Sequence, residues 1–429
     1  MQKIENRLIK EKVYIEKLES GFTIYCIPKK NTKKKYAICG VGYGSNNNHF
    51  IIEKEKNNKE MTIPDGVAHY LEHKMFEQKS GVNSLDSLSS LGVDANAYTT
   101  NDHTAYLFEC TDNFEKALDE LLDYVQNPYF TDENVEKERG IISQEIKMYE
   151  DDPDWKVYIN CMNALYVNNP IKIDVAGSVE SIKRINKEIL YECYNNFYVP
   201  ENMVLILVGD FNPKNIIREA KEKIIIKNRT KAKLIKLPEP LEINKKEIIE
   251  KMDISIPIFT IGYKVNLNEE EKIKRSVAIE ILLEIIFGLS SDTYQELYKK
   301  GYIYENLVTS FEWSNADYAH ILIQGKSFNL DKIKNIINEK IEEIKNKGIS
   351  EEIFEMAKRK TYGLYVREFN DVSSEATIFI TNYFKQIIPF DYIEEFKNIS
   401  KEYLMDVLKE VFEESKEVVS IIMPKMNVK

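Results

Sequence analysis

The chain has 429 residues, 43% of them hydrophobic and 30% charged, and carries a net charge of −11. That length exceeds one ordinary core and calls for about two or three domains, and the composition belongs to a folded chain rather than a disordered one. The acidic balance argues against nonspecific nucleic-acid binding, which needs a basic surface.

The first residues, 1–21, mix Lys, Arg and Glu without an apolar core, so they read as neither a secretory signal nor a mitochondrial presequence. No uncharged apolar run reaches the ~18 residues that a membrane span needs, and no span is expected. Cys26, Cys39, Cys110, Cys161 and Cys193 are odd in number, widely spaced and free of C-x-x-C. They point to reduced, buried thiols in a cytoplasmic protein.

Phe22 to Pro28 and Tyr36 to Gly44 read as strands, and the polar stretch 46–63 as a loop. Pro64-Asp65-Gly66 is a turn in which Asp65 would cap the next helix. A short helix over 82–91 follows, then strands over 92–100 and 104–110. Helices are expected from Asn113 to Val125, from Thr131 to about Met148, and over 155–169 and 179–197. Met203 to Gly209 is a buried strand.

Residues 221–250 form the best linker candidate, with Lys227, Arg229, Lys231, Lys233 and Lys236 ahead of Pro238-Glu239-Pro240. Beyond it the pattern repeats. A strand from Ile258 to Lys264 precedes helices from Glu269 to Phe287 and from Asp292 to Lys300. Strands near 305–312 and 318–324 lead to helices over 329–347 and 350–369. The helix-turn-helix layout from Phe114 resembles the one from Leu330, which suggests an internal duplication. The expected fold is α+β, with two homologous halves, each a mainly antiparallel sheet flanked by helices. The division is a first half over 1–220, a linker over 221–250 and a second half over 251–429.

Two of the five histidines fall in His69-Tyr70-Leu71-Glu72-His73. Residues four apart share a helix face, so both imidazoles can reach one metal ion, with Glu72 beside them. This is the H-x-x-E-H arrangement. A catalytic zinc site takes three protein ligands and keeps a position open. Glu145 is the candidate third ligand, and Glu138, seven residues earlier, lies on the same helical face. One would ligate and the other would accept a hydrogen bond from a ligand imidazole; the plain alternative is two solvated glutamates. His49 and His320 have no second histidine at ligand spacing, and His103 reads as a loop histidine.

These residues resemble the pitrilysin/insulinase family of zinc metallopeptidases, the inverzincins of the processing-peptidase fold. The match covers His69-x-x-Glu72-His73, Asn96-Ala97-x-Thr99, Thr104-x-Tyr106, Glu138 with Glu145, and Tyr198-x-Pro200-x-Asn202-Met203. A YmfH-like bacterial branch is indicated by Glu72-His73-Lys74-Met75-Phe76-Glu77, Gln144-Glu145-Ile146-x-Met148-Tyr149 and Asp152-Pro153-Asp154-Trp155.

The resemblance implies a zinc endopeptidase acting on peptides or unfolded segments. His69, His73 and Glu145 would bind Zn2+, Glu72 would take a proton from the zinc-bound water, and Glu138 would support the site. Asn96, Ala97 and Thr99 would lie on an edge strand that pairs with substrate. Active relatives also use an arginine and a tyrosine in a segment like Leu-Arg-Glu-Lys-x-Gly-Leu-x-Tyr. The matching residues here are Leu297 to Tyr304: Tyr304 takes the tyrosine position, but Tyr298 stands where the arginine is expected. Either Lys299 or Lys300 substitutes, or a homologous subunit supplies the pair in a heterodimer, with a homodimer as the other arrangement. The rival reading is a noncatalytic structural or substrate-holding subunit of the same fold.

Overall fold

Runs of β-branched and aromatic residues between turn residues become strands here, and amphipathic stretches become helices. A computed structural model describes residues 1–53, 58–226, 231–267, 271–315 and 318–425. Its strands are β1 Gln2–Asn6, β2 Glu11–Lys17, β3 Thr23–Pro28, β4 Lys35–Val41, β5 His49–Ile52, β6 Lys59–Thr62, β7 Asp94–Thr99, β8 Thr104–Cys110, β9 Met203–Gly209, β10 Lys233–Leu234, β11 Glu247–Met252, β12 Ile258–Lys264, β13 Val308–Ser314, β14 Tyr318–Lys326 and β15 Glu417–Pro424. The first five helices are α1 Val67–Lys74, α2 Ser84–Ser90, α3 Phe114–Gln126, α4 Asp132–Glu150 and α5 Pro153–Leu165.

The chain forms two compact units. The first comprises Met1–Ile146, Asp174–Lys236 and Arg367–Pro389; the second comprises Lys147–Ile173, Leu237–Val366 and Phe390–Lys429. The first sheet has the order β1-β2-β3-β9-β4-β8-β7 and the second β11-β15-β12-β14-β13. Five strands of the first therefore repeat the second strand for strand. In each, the first of the five lies parallel to the last, and the remaining pairs are antiparallel. The central strands β9 and β12 are buried at every residue, as strands covered on both faces must be.

The units are not consecutive halves of the sequence. Helix α5 packs on β12 and β15 in the second unit, while the helix Val372–Phe384 packs on β4 and β9 in the first. Each is the helix that follows its own half's long helix pair, so equivalent elements have changed places. A glycine in the equivalent strand makes room for each. A Cβ at Gly40 would lie 2.5 Å from Ile380 Cδ1, and one at Gly262 would lie 2.7 Å from Cys161 Sγ.

Several local expectations are corrected. The stretch 46–63, expected as a loop, contains the hairpin β5–β6, held by buried Phe50 and Ile52; the N-terminal residues, for which no element was expected, form the hairpin β1–β2. Residues 54–57 lie outside the described residues, as do Lys227 and Arg229 of the linker and Glu269. The expected linker also contains the end of the helix Pro213–Lys223, all of β10 and the first residues of β11. The helical stretch 179–197 is two helices, Val179–Ile182 and Lys187–Phe197.

If the exchanged helices sit this close to the sheets, Gly40→Val and Gly262→Val should each destabilise by about 1–3 kcal/mol, the range for overpacking. The check is the urea midpoint of the full chain; two unchanged midpoints would contradict the packing described.

Candidate metal centre

Helix α1 begins at Gly66, whose φ of 91° is left-handed. A Cβ there would meet Ala176 O at 2.4 Å, so glycine is required on both counts. Asp65 does not cap the helix, contrary to expectation. Its side chain instead accepts from Asn48 Nδ2 at 3.1 Å, and its carbonyl accepts from Ser181 Oγ.

One face of α1 carries Val67, Ala68, Tyr70 and Leu71 into the core, and the Tyr70 hydroxyl donates to the carbonyl of Val135 on α4. That anchor sets α1 against α4. On α4, Val135 and Ile142 are buried at the same seven-residue spacing that separates Glu138 from Glu145. The apolar pair seats the helix, and the acidic pair reaches α1.

The two imidazoles lie with ring centroids 4.6 Å apart. His69 Nε2 is 3.6 Å from Glu145 Oε1, and His73 Nε2 is 3.4 Å from Glu145 Oε2. One ligand atom from each of His69, His73 and Glu145 lies within 4.8 Å of the others, the one such three-residue group among the described residues. Bonds of about 2.0–2.1 Å in a tetrahedral site place ligand atoms ~3.3 Å apart, close to these separations.

Glu138 fixes the tautomer. Its Oε1 accepts from His73 Nδ1 at 3.0 Å, which leaves Nε2 of a neutral ring with a lone pair. That lone pair faces carboxylate oxygens of Glu145. Glu145 Oε2 is buried with no hydrogen-bond partner, as is His69 Nδ1. Acceptors turned toward one another without a proton between them repel, and a cation relieves the conflict. The donor set therefore fits a metal ion, and a nitrogen-rich one with a single carboxylate suits zinc chemistry.

Charge states agree. Burial, helped by His73, pushes the His69 imidazole down to about 3, so this ring is neutral at ordinary pH. Burial also lowers His73, but the Glu138 hydrogen bond and the charges of Glu72, Glu145 and Glu138 outweigh it, and its pKa is raised. Burial pushes Glu138 up, but the His73 hydrogen bond and nearby positive charge leave it below the usual carboxylate range.

Glu72 is 7% exposed, and its Oε2 accepts from Thr99 Oγ1 at 2.6 Å. Burial raises its carboxyl above the ordinary value. Thr99 Oγ1 lies 3.2 Å from Thr104 Oγ1, which donates to Tyr43 O at 2.8 Å. Sequence reasoning placed Thr99 among substrate contacts and did not see this bond. A hydroxyl two residues past an Asn-Ala pair carries no sign of which carboxylate it will meet.

Strand β7, with Asn96, Ala97 and Thr99, is the sheet's edge and, among the described residues, pairs only with β8. The backbone bond from Thr100 N to His103 O closes the hairpin. By the alternation of antiparallel pairs, Ala95, Ala97 and Thr99 turn their backbone groups to the open side. The Ala97 N–H donates to the Asn96 side-chain oxygen at 2.8 Å. His103 is buried, stacked on Phe384 at 5.0 Å and bonded to Thr100, so it is a packing residue of the turn.

Tyr304 belongs to the second unit, in a turn before β13, and is 74% exposed. Tyr298 is also exposed and stacks on Tyr294. Lys300 pairs with Glu296 at 2.8 Å, and Lys299 ends the helix Asp292–Lys299.

Comparison with known proteins accords with this geometry. Residues 58–178 match the family described as Insulinase (Peptidase family M16), and residues 184–361 match Peptidase M16 inactive domain. The chain is 36% identical to "Uncharacterized zinc protease YmfH" of Bacillus subtilis (strain 168), over 98% of this chain and 99% of that one. The crystal structure of an M16-like peptidase from Alicyclobacillus acidocaldarius superposes with a TM-score of 0.91 at 30% identity, covering 98% of this chain and all of that one. A protease from Helicobacter pylori shares the fold, with a TM-score of 0.83 at 19% identity over 96% of this chain. Identity along the whole length of both chains, with His69, Glu72, His73 and Glu145 folded together, makes this chain a member of the insulinase-like M16 peptidase family, in its YmfH-like branch.

Proposed function

We propose that the chain is a zinc-dependent endopeptidase that hydrolyses peptides or unfolded segments, and that it is the catalytic member of a two-chain enzyme. The observation that carries this reading is the convergence of His69, His73 and Glu145 beside the buried carboxylate of Glu72.

His69, His73 and Glu145 would hold the ion. A bound zinc ion lowers the pKa of a water ligand and polarises a carbonyl. Glu72 accepts the proton of the attacking water and passes it to the leaving amine. Thr99 holds the carboxylate through both states. Its hydroxyl donates to Glu72 Oε2 at 2.6 Å, which leaves the other oxygen to take up the proton of the water and release it to the amine. Burial favours the protonated form of Glu72, which eases proton uptake.

A substrate in extended form adds to the open edge of β7 and is bound through Ala95, Ala97 and Thr99 backbone groups, which tolerates many sequences. The Asn96 amide turns away from the Ala97 N–H as it does so. A lysine lacks the planar fork of arginine, so neither Lys299 nor Lys300 reproduces the residue that Tyr298 displaces. We therefore assign the missing arginine to a homologous partner subunit. Five free, buried cysteines fit a reducing, cytoplasmic setting.

Glu72→Gln should keep stoichiometric zinc and lower kcat on a peptide by at least ~100-fold, the scale of general acid–base catalysis; retained turnover would remove Glu72 from this role. Glu145→Gln should lose zinc, as measured by metal analysis after dialysis, and a full equivalent retained would refute the ligand set. Because the His73 pKa is raised above 6.5, protons compete with metal as pH falls through it. Zinc affinity should then drop by about tenfold per pH unit below that value and level off above it; a flat profile between pH 8 and about 5 would contradict the assignment. The purified chain should cleave peptides weakly alone and at least tenfold faster with a homologous partner, and full activity by the lone chain would refute the two-chain arrangement.

A further inference from the structure

Lys74 is the last residue of α1, directly after His73, and is 0% exposed. Lysine is almost never fully buried unless it is paired. A cation beside a proposed zinc site is also repelled by the ion, so this place is doubly unfavourable for an ammonium. Nothing in the proton transfers above needs one. Its retention therefore calls for a gain elsewhere.

The contacts show where that gain lies. Lys74 Nζ is 2.7 Å from Glu77 Oε2 and 3.8 Å from Glu138 Oε2. The other oxygen of Glu138, Oε1, accepts from His73 Nδ1 at 3.0 Å. One carboxylate thus stands between an imidazole and an ammonium, an oxygen turned to each. Glu77 has a second cation, Lys137, at 3.9 Å, and a one-quarter exposed side chain, so it does not depend on Lys74 alone. Glu138 is the partner that burial leaves with few others.

We propose that Lys74 is a positioning residue: its buried ammonium holds the Glu138 carboxylate in the one orientation that fixes the His73 ring with Nε2 toward the ion. This rests on the zinc reading above. A terminal carboxylate turns easily about its last bond. With one oxygen tethered electrostatically, the other stays on Nδ1. Groups that orient a ligand imidazole are worth about 10–100-fold in metal affinity when removed. A lysine acting one step behind such a group belongs at the lower end of that range. The rival role is purely structural: Lys74 would pair with Glu77 to secure the end of α1, and its loss would change folding stability without changing zinc affinity.

The test is zinc affinity of the full chain by competition with a chromophoric chelator, together with the Tm of the metal-free protein. Wild type, Lys74→Met, Lys74→Arg, Glu138→Gln and the Lys74→Met/Glu138→Gln double variant are compared. Methionine has similar length and suits a buried position, so folding should survive; Lys74→Gln takes its place if it does not. Lys74→Met should weaken zinc binding about tenfold, and Lys74→Arg should restore most of it. In the Glu138→Gln background the Lys74→Met effect should vanish, since residues acting through one network are not additive. Zinc affinity of Lys74→Met within twofold of wild type overturns the proposal. So does a loss that persists undiminished in the Glu138→Gln background. If wild type itself binds no zinc, the zinc reading falls, and this inference with it.

Discussion

Two imidazoles four residues apart on one helix face two carboxylates seven residues apart on another, and the whole centre depends on that opposition. Neither set is stable in this place alone. Buried and half-buried carboxylates want protons or cations, and the His73–Glu138 bond uses the one proton that the His73 ring offers toward α4. What remains is lone pairs converging from His69, His73 and Glu145. The hydrogen bond that orients the ring also makes the site electron-rich, so tautomer control and fitness for a metal ion are one feature. The register of the two helices follows from ordinary packing: Tyr70 on the Val135 carbonyl, with Val135 and Ile142 seated in the core.

The scaffold around the centre is a repeated sheet, and among the described residues only the first copy brings such a ligand group together. The strand orders match, and the exchanged helices α5 and Val372–Phe384 rest on glycines in equivalent strands. In the second unit, the helix after β12 is Lys272–Phe287, whose buried residues include Val277, Ile281, Leu282 and Ile286. Where the first unit spends a helix face on histidine and glutamate, the second spends it on core. The open edge β7 ends at Thr99, so the strand that would receive a peptide also supplies the hydroxyl on Glu72. In the proposed reading, substrate pairing and general-base positioning would share a few residues of backbone.

Much of this was legible in the sequence. The i, i+4 histidines and the i, i+7 glutamates are short-range patterns that helices turn directly into shared faces. The duplication was visible because each half repeats its order of strands and paired helices. Other features were hidden for physical reasons. Asp65 obeys the usual cap preference, but the close approach of Ala176 to Gly66 sets the chain entry instead. The β1–β2 hairpin is polar and half exposed, so it lacks the apolar alternation that marks a strand. The exchange of α5 for Val372–Phe384 is a long-range choice that no local pattern encodes. The burial of Lys74 and the Thr99–Glu72 bond likewise depend on which elements fold together, since lysine and threonine ordinarily read as surface residues.

The account stands most directly on where an ion sits. Diffraction from crystals of the full chain, purified without chelator, can be recorded on both sides of the zinc absorption edge. The account predicts one anomalous peak within about 2.0–2.2 Å of His69 Nε2, His73 Nε2 and a Glu145 oxygen, with Glu138 still on His73 Nδ1. A peak ligated by Glu138 in place of Glu145, or no peak among these residues, would contradict it.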